Sequence, residues 1–290
     1  MAGKQNSVTY RWDTIAIAGV GLIGGSIGLA ALERQLARRI IGIGRHPQKL
    51  EQAQALGAIT DFATNLEDGV AEAQLIIICT PVRFIAQQVC QALAVSNGDA
   101  IVTDAGSTKQ QIIDQVHQQA GEAAERFVGS HPLAGSEKSG AEHAVANLFL
   151  NRSVIVTPTS ATNKIAQQQT IEFWQQLGSR THLMTPAEHD QILAATSHLP
   201  HLLASVLAAA TPDAALPFVS TGWLDTTRVA AGDPELWTQI LQQNQTEVRQ
   251  SLSHFQSVLE QFSQALDQDQ WETLAQILAL GKTQRDALGS

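Results

Sequence analysis

Cysteine is scarce. Cys79 and Cys90 are the two in 290 residues, and they form no C-x-x-C pair. Cys79 sits in the apolar run QLIIICTP, which reads as a buried strand, and Cys90 sits in a helical pattern. That points away from a disulfide framework and towards a reduced, cytoplasmic, soluble protein. Positive charge is scarce too. There are 18 Lys and Arg against 27 Asp and Glu, a formal net charge of −9, and no basic run exceeds a pair such as Arg38–Arg39. Nucleic acid and acidic membrane surfaces are therefore not expected partners. No signal peptide opens the chain and no apolar run reads as long enough to span a bilayer, so no membrane partner is expected. Residues 1–13, MAGKQNSVTYRWD, are polar and read as a flexible leader.

What is present is a globular composition, 44% apolar over a length that allows two modest domains with a core each. Strand-like runs occur at 14–19, 40–44, 75–80, 100–106, 126–130 and 153–158. Helical patterns lie between most of them, at about 22–37, 47–57, 82–94 and 107–120. This alternation predicts a Rossmann-type α/β domain with a parallel sheet covered on both faces. The runs SVIVTP and RTHLM, joined by a helix at about 162–177, read as a continuation of that sheet. After Pro186 no further strand is evident, and helical stretches at about 186–210, 233–266 and 268–287 predict an all-α second domain. The expected division is 14–184 and 185–290.

The stretch IAIAGVGLIGGSIG places Gly19, Gly21 and Gly24 in G-x-G-x-x-G spacing between a strand and a helix. Gly19 makes the tight turn, Gly21 admits the pyrophosphate, and Gly24 lets the helix pack on the strand. The phosphates would sit on the first N–H groups of that helix, at Leu22 and Ile23. The second strand ends IIGIGRHPQK, with Gly44 and Arg45 where an NAD site carries a ribose-binding acid. A guanidinium there, with Lys49 nearby, attracts a 2′-phosphate and so predicts NADP.

Two further strands end in polar groups at the sheet edge where open α/β folds bind ligands. AIVTDAG leads into Ser107, Thr108 and Lys109, and Ser107 is also a possible N-cap of the next helix. RFVGS leads into His131, directly before Pro132, at the mouth of the expected nicotinamide site. The helix entering the second domain carries His189, Asp190, His198 and His201. A zinc site is the obvious rival reading for these, but Pro200 inside the His198–His201 spacing should bend the helix, so no metal is expected. Arg228 lies in the polar segment GWLDTTR and is suited to forking a carboxylate.

Together these motifs resemble the prephenate/arogenate dehydrogenase family of tyrosine biosynthesis. The likeness rests on GVGLIGGS, CTP (79–81), DAGSTK (104–109), HPLAGSEKSG (131–140), HDQILAATSHLPH (189–201) and DTTRVAAGDPELW (225–237). The resemblance implies a nucleotide-binding domain and a helical domain that builds a homodimer. It makes His131 the catalytic histidine, with Ser107 its neighbour on the substrate hydroxyl. Thr80 and Pro81 would line the cofactor, and His198, His201, Arg228 and Glu137 the substrate pocket. Leu224 departs from the family, which often has a basic residue there. The implied reaction is oxidative decarboxylation. Neutral His131 draws the C4 hydroxyl proton while hydride leaves C4 for the nicotinamide, and loss of CO2 completes the aromatic ring. A compact chain, expected to lack a fused chorismate mutase or a regulatory domain, and an NADP-type strand end look like the arogenate-preferring members. Prephenate, giving 4-hydroxyphenylpyruvate, is the alternative substrate. A 3-hydroxyacid dehydrogenase would depend on a lysine in the first interdomain helix, and residues 185–210 contain no Lys or Arg. A non-catalytic NADP sensor would not need His131, Ser107 and Arg228 together.

Overall fold

The structure, a computed structural model, describes residues 11–135 and 138–289. The first half runs β1 (Trp12–Ala18), α1 (Leu22–Glu33), β2 (Ala37–Ile43), α2 (Pro47–Ala55), β3 (Asp61–Ala63), α3 (Leu66–Val70), β4 (Leu75–Ile78), α4 (Val82–Val95), β5 (Ile101–Asp104), α5 (Gln110–Ala120), β6 (Phe127–Pro132), β7 (Ser153–Thr157), α6 (Lys164–Gln176) and β8 (Arg180–Leu183). The strands form one sheet in the order β3-β2-β1-β4-β5-β6-β7-β8. Both faces are buried, which is why these strands read as unbroken apolar runs rather than as alternation. Ile15, Ile17, Leu75 and Ile77 enter one core with α1, α6, Phe173 and Trp174. Ala16, Ala18, Ile76 and Ile78 enter the other with α4 and α5. The strand period of two does this sorting.

The sheet departs from the parallel expectation at one seam. β7 runs antiparallel to β6, with His131 opposite Ile155, while β7 and β8 are again parallel. The link between β6 and β7 has only a 3-10 turn, Ala141–His143, among its described residues. A parallel return needs a full crossover, usually a helix, and this link supplies none. β3 and α3 escape a periodicity reading because three and five residues are too few to show one. The leader expected over 1–13 is also too long. β1 begins at Trp12, which pairs with Ala37 and is buried in the core with Ile15.

The second half is helical: α7 (Pro186–Leu193), a π-helical turn Ala194–His198, α8 (Leu199–Ala210), α9 (Thr221–Thr227), α10 (Pro234–Gln243), α11 (Gln245–Asp267) and α12 (Trp271–Asp286). The helix expected over 233–266 is broken at Asn244, with φ −112° and ψ 30°. The run 186–210 is continuous over 25 residues, and an 18-residue stretch within it has a mean hydropathy of 1.5, long and apolar enough to cross a membrane by length and composition. That corrects the reading that no run is long enough. Its buried face nevertheless carries His189, Asp190, His198 and His201, groups that hydrocarbon solvates poorly. The π turn directly precedes Leu199–Pro200. Pro200 has no N–H to donate and its ring crowds the carbonyl four residues back, so the ladder widens there.

Candidate active site

The turn after β1 is built by exclusion of side chains. Gly19 has φ +90°, and a Cβ on it would lie 2.9 Å from the Cys79 carbonyl carbon. The β1 turn therefore presses against the β4 turn that carries Thr80 and Pro81. A Cβ on Gly24 would lie 2.2 Å from the Gly19 oxygen, whereas one on Gly21 would meet nothing within 4 Å. Gly24 is required by the fold, and Gly21 leaves open space in front of α1. No side chain caps α1 at Gly21, and no acid occupies its first turn. The N–H groups at Leu22 and Ile23 and the positive helix end are thus available to an anion, so the turn fits a dinucleotide pyrophosphate. Thr80 donates to Gln88 Oε1 at 2.6 Å, and Pro81 is the N-cap residue of α4. Arg45 is exposed just beyond β2, and no carboxylate stands between Gly44 and Lys49.

His131 lies near the end of β6, at the C-terminal edge of the parallel strands. Its Nδ1 is 2.8 Å from Nε2 of His189, and His189 Nδ1 is 2.7 Å from Asp190 Oδ1. The carboxylate fixes the protons along this line. It can only accept, so His189 carries its proton on Nδ1 and presents a bare Nε2. His131 must then donate from Nδ1, which leaves its own Nε2 as a lone pair. That nitrogen has no partner among the described residues and is not sealed from solvent. Burial holds the His131 pKa well below 6.5, and His189, Lys109 and His198 add to the effect. His189 is lowered by its burial against the opposing pull of Asp190. The site therefore holds a neutral imidazole with a free acceptor, which is the state a general base needs.

Asp190 has a second task. Its Oδ1 accepts from Lys109 N at 2.8 Å and its Oδ2 from Gln110 N at 2.9 Å. α5 is thus capped by a carboxylate from α7, not by Ser107, whose expected N-cap role is overturned. The helix starts at Gln110, three residues further on, with Lys109 in the N-cap position. Ser107 stays in the turn after β5, partly exposed. Beneath it Lys109 is fully buried, forms an ion pair with Asp104, and donates to the Ser130 main-chain oxygen at 2.9 Å. Burial lowers the Lys109 pKa while Asp104 opposes the shift. Asp104 also accepts from Ser130 N, and the Ser130 hydroxyl bridges the Asp104 oxygen and Trp174 Nε1. The residue before His131 is therefore held from four sides.

His198 and His201 are both buried. His201 stacks on Trp237 with ring centroids 3.6 Å apart, and His198 meets the same indole edge-on at 6.2 Å. Burial lowers the His198 pKa to about 4 and also lowers that of His201. The Arg228 turn packs on α8, and Gly232 lies against the His201 ring. Arg228 itself is exposed, like Leu224, and makes no hydrogen bond or ion pair among the described residues. Glu137 lies outside the described residues. In the sequence alone His189 and Asp190 stand out only as possible metal ligands, and nothing there gives Lys109 or Asp104 a role. Among the described residues no group of three or more His, Cys, Asp or Glu is placed to hold a metal ion, and His189 spends both ring nitrogens on hydrogen bonds. The signal available was the acidic residue directly after a histidine at 189–190, but its partner lies 58 residues away.

Comparison with known proteins agrees with this geometry. The family model described as prephenate dehydrogenase, nucleotide-binding domain, matches residues 27–183, and that described as prephenate dehydrogenase, dimerization domain, matches 185–280. The prephenate dehydrogenase of Bacillus subtilis (strain 168) is 35% identical over 95% of this chain and 76% of its own length. The solved structure of prephenate dehydrogenase from A. aeolicus, in complex with hydroxyphenyl propionate and NAD+, superposes with a TM-score of 0.88 at 29% identity, covering 95% of this chain and 98% of that one. Synechocystis arogenate dehydrogenase superposes with a TM-score of 0.80 at 31% identity, covering 95% and 99%. Matches to both domain models in chain order, together with relatives above 30% identity over nearly the whole length, show that this chain belongs to the prephenate dehydrogenase family.

Proposed function

We propose that this oxidoreductase of tyrosine biosynthesis acts on arogenate with NADP+, yielding tyrosine, CO2 and NADPH. The observation that carries the catalytic reading is the line His131–His189–Asp190, which leaves a neutral acceptor nitrogen at the sheet edge. His131 Nε2 takes the ring hydroxyl proton. His189 and Asp190 hold its tautomer and stabilise the positive charge that arrives with that proton. Ser107, on the neighbouring turn, orients the same hydroxyl. The Lys109–Asp104 pair fixes the end of β6, so His131 does not swing away. When bound, the nicotinamide supplies the hydride acceptor. Gly19, Gly21 and Gly24 shape its pyrophosphate turn, Leu22 and Ile23 offer N–H groups, and Thr80 and Pro81 border it. His198, His201 and Arg228 line the substrate side.

Arg45 at the end of β2, in place of an acid, supports NADP+ over NAD+. Arogenate is favoured by that strand end and by the likeness to the Synechocystis arogenate dehydrogenase. The helical domain supports a homodimer. Val206, Phe218, Leu259, Trp271 and Leu278 are large apolar groups left exposed on it, and its family model is named for dimerization. Steady-state kinetics with arogenate and prephenate, each with NADP+ and NAD+, test the reading. The highest kcat/KM is expected for arogenate with NADP+. Gly44→Asp with Arg45→Ala should weaken NADP+ by about 10–100-fold, the scale of a lost charge-assisted pair. Equal efficiency with both cofactors would remove the role given to Arg45. Oxidation of prephenate but not arogenate would reverse the substrate choice.

A further inference from the structure

The break between α10 and α11 turns one side chain inward. Asn244 is 3% exposed, and its Nδ2 donates to the Asp190 main-chain oxygen at 2.7 Å. The same nitrogen lies 3.1 Å from His198 Nδ1. The Asp190 carbonyl has no proton to give, so the amide nitrogen rather than the amide oxygen must face it. This fixes the otherwise ambiguous orientation of the amide. That nitrogen carries two protons and accepts none. One proton goes to Asp190, so the other meets a lone pair on His198 Nδ1, and the proton of the neutral ring sits on Nε2.

We propose that Asn244 is a positioning residue that fixes His198 as its Nε2–H tautomer and so holds a buried donor ready for an acceptor oxygen of the bound substrate. The substrate half rests on the function proposed above, whereas the tautomer half does not. His198 Nε2 is buried and has no partner among the described residues. Such a donor is normally satisfied in a native protein, and a ligand oxygen would satisfy it. Asn244 also joins the two halves of the site. Through Asp190 it steadies the carboxylate that orients His189 and His131. Its neighbour Gln243 accepts from Thr108 at 2.5 Å and donates to the Val82 oxygen at 3.1 Å, tying the turns that carry Ser107 and Pro81 to the helical domain. The charged and titratable groups that act on His198 are Asp190, which favours its protonation, and His189 and His201, which oppose it. Trp237 faces it as an uncharged ring, and Glu247 of α11 lines a groove with Ala195 and Leu199.

Histidine labelled with 15N, with the His198 signal assigned from a His198→Gln variant, reports the tautomer directly. At pH 7 the unmodified protein should show a bare Nδ1 and a protonated Nε2. Asn244→Asp keeps the shape but replaces the donor with an acceptor. It should move the proton to Nδ1, raise the His198 titration from about 4, and raise KM by about 10–100-fold, the scale of a hydrogen bond to a charged group. Asn244→Ala, which adds no charge, should give a mixture of tautomers and a raised KM. A proton on Nδ1 in the unmodified protein overturns the proposal. So does a variant that melts earlier yet keeps both the tautomer and KM, since that is a purely structural residue. Should the unmodified protein oxidise neither arogenate nor prephenate, the functional reading fails while the NMR result still decides the tautomer.

Discussion

His131 is placed where its position alone suggests chemistry, after a strand and before a proline, and that much was legible in the sequence. Its working state was not. The tautomer depends on His189 and Asp190, which arrive from another domain, and no local pattern encodes a contact across 58 residues. The pKa follows from burial and has a consequence for pH. A base is inactive when protonated, so activity falls as pH drops through its pKa. With that pKa held well below 6.5, the acidic limb of kcat/KM should lie below the ordinary histidine range, not within it. A pH–rate profile with a limb at or above 6.5 would show that His131 is not the titrating base. Asp190→Asn gives a sharper test. If the amide nitrogen turns to His189, both tautomers along the line invert and His131 Nε2 becomes a donor. If the amide oxygen stays there, the amide nitrogen meets the Gln110 N–H. Turnover should fall by about 10²–10⁴ while the loss of the α5 cap costs about 1 kcal/mol of stability. A variant that loses only stability would reduce Asp190 to a cap.

Elements with strong periodicity were the readable ones: the apolar strands, the helices between them and the glycine turn. Those that depend on tertiary partners were not. β3 is short, β7 takes its direction from the link before it, and α5 starts where Asp190 caps it. The break at Asn244 was hidden because α10 and α11 keep a helical pattern on either side. The glycine turn yields a paired prediction, because its two inner glycines serve different ends. Gly24→Ala forces a Cβ onto the Gly19 oxygen, so the protein without cofactor should lose about 1–3 kcal/mol, read as a lower Tm. Gly21→Ala meets nothing in the protein, so Tm should hold while cofactor Kd rises at least tenfold. Unchanged cofactor affinity in Gly21→Ala would mean the phosphates do not pass in front of α1.

At the scale of the whole molecule, the two halves are joined through the site itself. Asp190, Gln243 and His189 carry hydrogen bonds across the boundary, so opening the halves dismantles the line to His131. The two-domain plan was legible from the change of pattern after Pro186, and so was the surplus of apolar residues in the segments at 233–266 and 268–287, while which of them stay exposed became visible only in the fold. Phe218, in the turn between α8 and α9, is 85% exposed, and together with the apolar surface left open on α8, α11 and α12 it predicts a dimer by light scattering at micromolar concentration, against which a monomeric mass would count. The most direct measurement of the central claim is turnover by His131→Asn beside the unmodified protein, followed at the NADPH absorbance with arogenate and prephenate, with Tm and cofactor Kd taken on the same preparations. The account predicts that kcat falls by about 10²–10⁴ while Tm and Kd stay in place. A variant that keeps most of its turnover, or loses it only in proportion to its folded fraction, would contradict the assignment of His131 as the proton acceptor.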